Sequence, residues 1–157
     1  MTNRGFLMIE ILISAAIIAS ALVALTGVIY KLSYLSGDNL RRAQAGFLAT
    51  EGAEVMRLRR DNGWNANIAN LTIGQNYYLL WQSGQWQATT TPAKVDNLFI
   101  REIVVNSAYR DANGDLTAAG TADNNARRIT VTVSWLNSTG ATSSRSLQIY
   151  LTNLFAD

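Results

Sequence analysis

Hydrophobic residues follow three different patterns along this chain. A run of twenty residues, 11–30, contains no charged residue and no proline. Residues 31–61 then space apolar side chains three or four positions apart among charged ones, and beyond residue 64 the pattern changes to alternation between turns. The first pattern is long enough to cross a bilayer as a helix. The second predicts an amphipathic helix and the third predicts β-strands.

The amphipathic helix is expected to place one face against a core. It is expected to bend near Gly37 and to end at Asn62-Gly63, where glycine can provide the C-terminal cap. Arg57, Arg59 and Arg60 precede this end and suit the negative pole of the helix dipole. The apolar positions predicted to form the buried face are Leu32, Leu35, Leu40, Ala43, Phe47, Val55 and Leu58.

The C-terminal region reads as an antiparallel sheet. Residues 76–80 and 86–90 flank the turn residues Gln82-Ser83-Gly84-Gln85, which predicts a hairpin. Further strands are predicted at 98–105, 128–136 and 144–154. Their one-sided alternation is typical of a sheet covered on a single face by a helix. We therefore predict an α+β fold, with the long N-terminal helix packed on a C-terminal antiparallel β-sheet.

Composition limits the function classes. The 157 residues, 48% hydrophobic and 15% charged, suffice for one membrane span and one modest head. Cysteine and histidine are absent, which excludes a disulfide framework, a thiolate metal site and a histidine base. We therefore expect no enzymatic activity. The net charge of +2 is too small to indicate a nucleic-acid partner, which would be expected only if the chain served DNA uptake.

Glu10 is the one ionisable residue at the start of the apolar region. A carboxylate at such depth costs on the order of 3 kcal/mol unless it is paired. In a generic membrane anchor, Glu10 would lie at one headgroup layer without a role. A secretory signal peptide with a cleavage site at Ala19-Ser20-Ala21 fits less well, because Glu10 would interrupt its apolar core and the apolar run continues to residue 30.

A third interpretation explains the carboxylate. Met1-Thr2-Asn3-Arg4-Gly5 followed by Phe6-Leu7-Met8-Ile9-Glu10 resembles the class III leader of type IV pilins and type II secretion pseudopilins. In that family a short basic leader ends in glycine, phenylalanine usually follows, and the fifth mature residue is glutamate. The resemblance implies that prepilin peptidase cuts after Gly5 and that Phe6 becomes the N-methylated terminus. It also implies that Glu10 pairs with the terminal amine of a neighbouring subunit.

The resemblance implies a division into a leader (1–5), a transmembrane or filament-core helix (6–30), an amphipathic extension (31–61) and a β-rich head (62–157). The implied function is a structural subunit of a type IV pilus-like or pseudopilus filament. Weaker similarities, Phe99-Ile100-Arg101 among them, resemble PilV-like minor pilins and pseudopilins. The implied partners are other pilin subunits, prepilin peptidase, an assembly platform protein and an assembly ATPase. The family's disulfide is absent here.

Orientation is where the charge count and the resemblance disagree. Arg4 lies on one side of the span, whereas Lys31, Arg41 and Arg42 lie on the other, so the positive-inside rule places the C-terminal side in the cytoplasm. Pilins have the opposite orientation. Following the more specific leader motif, we expect a single-pass inner-membrane protein with an extracytoplasmic head, which enters a periplasmic or cell-surface filament.

One loop could bind a cation. Asp111, Asn113 and Asp115 place oxygen ligands at alternate positions, as calcium loops do, and Asp123 lies further along. Asn113-Gly114 is equally a strong turn signal, so a plain turn is the competing interpretation. The alternative function is correspondingly a membrane-tethered extracytoplasmic module that never polymerises and binds calcium, DNA or a surface ligand.

Overall fold

The computed structural model describes the backbone of residues 4–154 and the side chains of residues 8–154. One helix, α1 (Arg4–Asp61), carries both the apolar run and the amphipathic segment. Its hydrogen-bonded conformation continues through Gly37. The predicted end at Asn62-Gly63 is confirmed: the Asn62 N–H donates to the Leu58 carbonyl over 3.0 Å, and Gly63 has φ +133°. A short π-helical segment, Asn65–Ala69, follows and buries Ile68.

The rest of the described chain forms one antiparallel sheet. Its strands are β1 (Asn76–Gln82), β2 (Gln85–Thr89), β3 (Lys94–Val95), β4 (Phe99–Arg110), β5 (Leu116–Thr117), β6 (Thr121–Leu136) and β7 (Thr142–Thr152). The order across the sheet is β2-β1-β4-β6-β7, with β3 and β5 also paired to β4. The predicted α+β fold, a long N-terminal helix packed on an antiparallel sheet, is confirmed.

The predicted hairpin is confirmed with its turn. Trp81 pairs with Trp86 across β1 and β2. Ser83 and Gly84 occupy the turn with φ of +53° and +77°. Two consecutive positive φ values are what a tight hairpin of the primed type requires, because its twist matches that of the strands.

Two strands are longer than their sequence pattern predicts. β4 runs on to Arg110 and β6 begins at Thr121, and the two extensions pair with each other. These extensions are rich in polar residues and show no regular alternation. A bulge between Ser107 and Ala108 shifts the register there. A bulge interrupts the two-residue period on which strand prediction depends, which is why the pattern was missed.

The buried face of α1 differs from the predicted one. Of the positions expected to face the core, Val55 is buried, whereas Leu40, Phe47 and Leu58 are exposed. The face that packs on the sheet is instead made of the mostly small side chains of Ala45, Ala49, Gly52, Ala53 and Met56. The prediction was wrong because it weighted large apolar residues. A small-residue face allows the helix backbone to approach the sheet closely.

Gly52 shows how close that approach is. A Cβ atom at this position would lie 2.9 Å from Val131 Cγ1 and 3.0 Å from Arg101 Cδ. Glycine therefore costs helix propensity here but fits a packing constraint imposed by the sheet. On the other side of the interface, the sheet presents the buried residues Phe99, Ile103, Val105, Ile129, Val131, Val133 and Leu151.

Candidate assembly surface

The N-terminal part of α1 is covered by nothing within the chain. Every described side chain from Met8 to Ser33 is exposed, including the large apolar ones. The 18-residue window that marks this helix as a candidate span has a mean hydropathy of 2.5 and is 0% buried. Contiguous apolar surface of this extent is rare on soluble monomers and marks a membrane or protein contact. It is the one helix in the described chain that is long and apolar enough to be a single membrane span.

The polar side chains inside the apolar run are partly satisfied by the helix itself. Ser20 Oγ donates to the Ile17 carbonyl and Thr26 Oγ1 to the Leu22 carbonyl, each over 2.8 Å. Back-bonding of this kind removes free hydroxyl donors from the surface. These two positions are therefore compatible with a surface that contacts only lipid or apolar side chains.

Glu10 is different, because the described chain provides it with no partner. Its side chain is exposed, and no ion pair with residues 8–154 involves it. Lys31, the next charged residue, lies 21 positions away on the same helix. A carboxylate in an apolar environment needs a counter-charge, so this one must come from outside the described residues. The backbone of Gly5 and Phe6 belongs to α1. Their side chains lie outside the part of the chain that the structure describes, as do residues 1–3.

The candidate calcium loop forms a tight turn. Asp111 Oδ1 accepts the N–H groups of Asn113 and Asp115 over 2.8 and 3.0 Å. Gly114 has φ +86° and donates its N–H to the Asp111 carbonyl over 3.1 Å. The turn signal of Asn113-Gly114 is thus confirmed, since an aspartate that bonds backbone N–H groups ahead of it is typical of turns.

Asp123 already has partners of its own. Its Oδ2 accepts from Arg110 Nε over 2.7 Å and its Oδ1 from the Asn125 N–H over 2.8 Å. The Asn125 hydrogen bond and the Arg110 charge lower the pKa of Asp123, against an opposing effect of burial. Arg110 Nη1 also donates to the Gly114 carbonyl over 2.6 Å, so a guanidinium supplies positive charge to this loop. Among residues 8–154 no three acidic side chains converge as metal ligands, and calcium binding stays a prediction.

Sequence reasoning missed a buried cation between helix and sheet. Arg101 is 2% exposed, and its guanidinium forms an ion pair with Glu51 and donates to the Leu48 carbonyl over 3.3 Å. It also lies 5.3 Å from the centre of the Trp86 ring. The signal was available, because Arg101 alternates with Phe99 and Ile103, which places all three on one face of β4. The role of Arg101 is to join α1 to the sheet.

Comparison with known proteins adds no further assignment: no family model matches the chain, and no curated protein or solved structure matches it significantly.

Proposed function

We propose that this chain is a structural subunit of a type IV pilus-like or pseudopilus filament, of the minor pilin or pseudopilin kind. It polymerises through the apolar part of α1, and its head forms part of the outer surface. The observation that carries the proposal is an exposed apolar run without charge, residues 11–30 of α1, directly after a carboxylate, Glu10, that has no partner among residues 8–154. The motif Gly5-Phe6 lies directly before that carboxylate.

A simple lipid anchor would account for the apolar run but not for Glu10. Lipid tails offer no counter-charge, whereas a bundle of identical helices could bring the α-amine of one subunit to the carboxylate of the next. Such a buried pair adds little net stability, because desolvation offsets attraction, yet breaking it is strongly unfavourable. Glu10 would therefore set the stagger between neighbouring subunits.

The proposal includes processing before assembly. Prepilin peptidase would cut after Gly5, and Phe6 would become an N-methylated terminus. The unassembled subunit would be a single-pass inner-membrane protein with an extracytoplasmic head. A platform protein and a cytoplasmic ATPase would then move it, with other pilin subunits, into a periplasmic or cell-surface filament.

The experiment that tests this proposal replaces Glu10 with valine in the native host. Glu10→Val removes the carboxylate and keeps a helix-compatible apolar side chain, so membrane insertion should be preserved. We expect the amount of variant in the sheared filament fraction to fall about tenfold or more, because the pairing charge would remain buried alone.

The matched control is Glu54→Val, which makes the same chemical change at an exposed position of the same helix. Its surface ion pair with Arg57 is worth about 1 kcal/mol or less, so incorporation should be normal. Normal incorporation of Glu10→Val would contradict the ion-pair role. Absence of the parent chain from every filament fraction would instead favour the tethered binding module.

A further inference from the structure

β7 is a free edge of the sheet. It pairs with β6 on one side, and no other described strand lies on its second side. It is eleven residues long, contains no proline, and Arg145 is its one charged residue. Long edges with few charges are templates for another strand, which is why proteins usually protect them.

The opposite edge of the same sheet is better protected. β2 has five residues, and Arg59 Nη1 donates to the Trp86 carbonyl over 3.0 Å. A short strand with a main-chain acceptor already in use is a poor template for addition. The difference between the two edges singles out β7 as the one suited to receive a strand.

A basic pocket opens beside β7. It has a volume of about 240 Å³ and is lined by Arg42 of α1, Trp135 of β6, and Ser143, Ser144 and Arg145 of β7. Ser143 pairs with Trp135 and Arg145 with Val133, so Ser143 and Arg145 share the helix-facing side of the sheet. Arg145 makes no ion pair with any residue in the described range 8–154. Arg42 lies one helical turn after Asp38 on α1. The pocket therefore offers two guanidinium groups, of which that of Arg145 has no ion-pair partner among the described residues.

Trp135, one of the residues that line the pocket, has an indole N–H without a partner. It is 4% exposed, and its indole N–H is buried without a hydrogen-bond acceptor among the described side chains and backbone. A buried donor without a partner costs about 1–3 kcal/mol, so native structures rarely keep one. Trp135 lines this pocket and also a second cavity beside Leu98 and Leu136, so an oxygen acceptor entering either cavity would lie near the indole.

An apolar groove adjoins the pocket on the same side. It has a volume of about 440 Å³ and shares Arg42 and Arg145 with the pocket. Phe47, a large apolar side chain left 76% exposed, lines it together with Leu147, which follows Arg145 by two positions on β7. The remaining lining residues are Ala43, Gly46, Ala49, Thr50 and Ser146.

We propose that the head binds an extended acidic segment of another protein, which adds to the sheet beside β7. The carboxylate of an aspartate or glutamate would enter the pocket between Arg42 and Arg145. An apolar side chain two positions away would lie on the same face of the added strand and fill the groove beside Phe47. Main-chain hydrogen bonds supply affinity in this recognition mode, and the alternate side chains supply specificity.

The charge of β7 argues against a second copy of the same strand as the occupant. In a register that places Arg145 opposite its own copy, two β7 strands would bring two Arg145 residues together, near two copies of Arg42. Like charges placed opposite one another disfavour the pairing. An acidic partner removes this repulsion and compensates both arginines.

The test uses the full-length protein in detergent micelles and a fluorescent eight-residue peptide. The peptide alternates threonine and valine and carries one aspartate two positions from a valine; a second peptide has asparagine in place of the aspartate. We expect the aspartate peptide to bind at least tenfold more tightly. Hydrogen exchange of the backbone amides of residues 142–152 should slow when it binds, because their free side becomes paired.

Arginine variants locate the site. Arg42→Gln and Arg145→Gln change exposed side chains, and each should abolish the preference for aspartate. Arg57→Gln, which changes a half-buried arginine outside both cavities, should preserve it. Equal binding of the two peptides, or unchanged exchange along β7, would overturn the proposal. The proposal would also be overturned if the protein bound vesicles containing phosphatidylglycerol, or inorganic phosphate, more tightly than the aspartate peptide and lost that binding in the same two variants. The ligand would then be a lipid headgroup or a free anion.

Discussion

The same type of apolar side chain is exposed in the N-terminal part of this chain and buried in the C-terminal part. Ile17, in the N-terminal unit of residues 1–40, is 62% exposed, whereas Ile103, in the unit of residues 41–157, is fully buried. The second unit buries its apolar residues between a helix and a sheet. The first has a helix and no second layer. The head is thus stabilised by its own contacts, whereas the exposed apolar surface of the helix is typical of a contact with a membrane or another protein.

The largest expected effect comes from truncating the same residue type in both units. Ile103→Ala should lower the free energy of unfolding of the head by about 2–5 kcal/mol, because it leaves a cavity in the core. Ile17→Ala should leave that free energy unchanged. Urea denaturation of the full chain in detergent, followed by tryptophan fluorescence, measures both. Equal losses in the two variants would show that the first unit also contributes packing to the head.

Two glycines of α1 test where along the head the helix packs closely on the sheet. Gly52→Ala should destabilise by about 1–3 kcal/mol, since its Cβ would contact Val131 and Arg101 too closely. Gly46→Ala should stabilise by up to about 1 kcal/mol, because its nearest neighbour, Arg145 Nε, would lie 4.0 Å away and alanine favours a helix. Thermal unfolding of the two variants compares them. A stabilising Gly52→Ala would contradict the close-approach explanation.

A smaller loss of stability is expected from removing the carboxylate that pairs with the buried Arg101. Glu51→Gln removes the charge that compensates Arg101, and we expect a loss of about 1 kcal/mol. The loss stays below that of a fully buried pair because the Glu51 side chain is 47% exposed. Glu54→Gln, at a surface pair on the same helix, should have almost no effect in the same urea titration. Equal losses of stability in the two variants would contradict the expectation that the Arg101–Glu51 ion pair stabilises the head more than a surface pair does.

The smallest expected effect is a pH dependence confined to the head. The pKa of Asp123 is lowered in the folded state, so its contribution is complete above its unfolded pKa of about 4 and is lost as the pH falls through the folded value. Asp123→Asn should therefore weaken the loss of stability below about pH 4. Chemical denaturation at several acidic pH values measures this change. An identical pH profile in parent and variant would contradict it.

Local patterns predicted those elements whose signals lie within one segment. The β1–β2 hairpin, the end of α1 at Gly63 and the alternation of β6 near Val131 are examples. The buried face of α1 was not predicted, because Ala45, Ala49 and Ala53 become core positions only through the sheet that packs on them. For the same reason, the sequence indicated only that Gly52 lowers the stability of the helix. Its contacts with Val131 and Arg101 join segments far apart in sequence.

The candidate functional residues also differ in whether local sequence is enough to identify them. Glu10 could be selected from sequence, because its significance depends on the apolar run beside it. The pocket of Arg42 and Arg145 could not, since it depends on the register that pairs β7 with β6 and on the helix lying over that edge. Sites formed between distant segments become visible when the pairing of those segments is known.

The proposed function requires a processed, polymerising subunit, and the N-terminus of the native protein shows whether processing has occurred. Intact-mass measurement and N-terminal sequencing would be made on protein from the membrane and sheared surface fractions of its host. We expect a chain that begins at N-methylated Phe6. A chain that still begins at Met1, in cells whose other prepilins are processed, would contradict it.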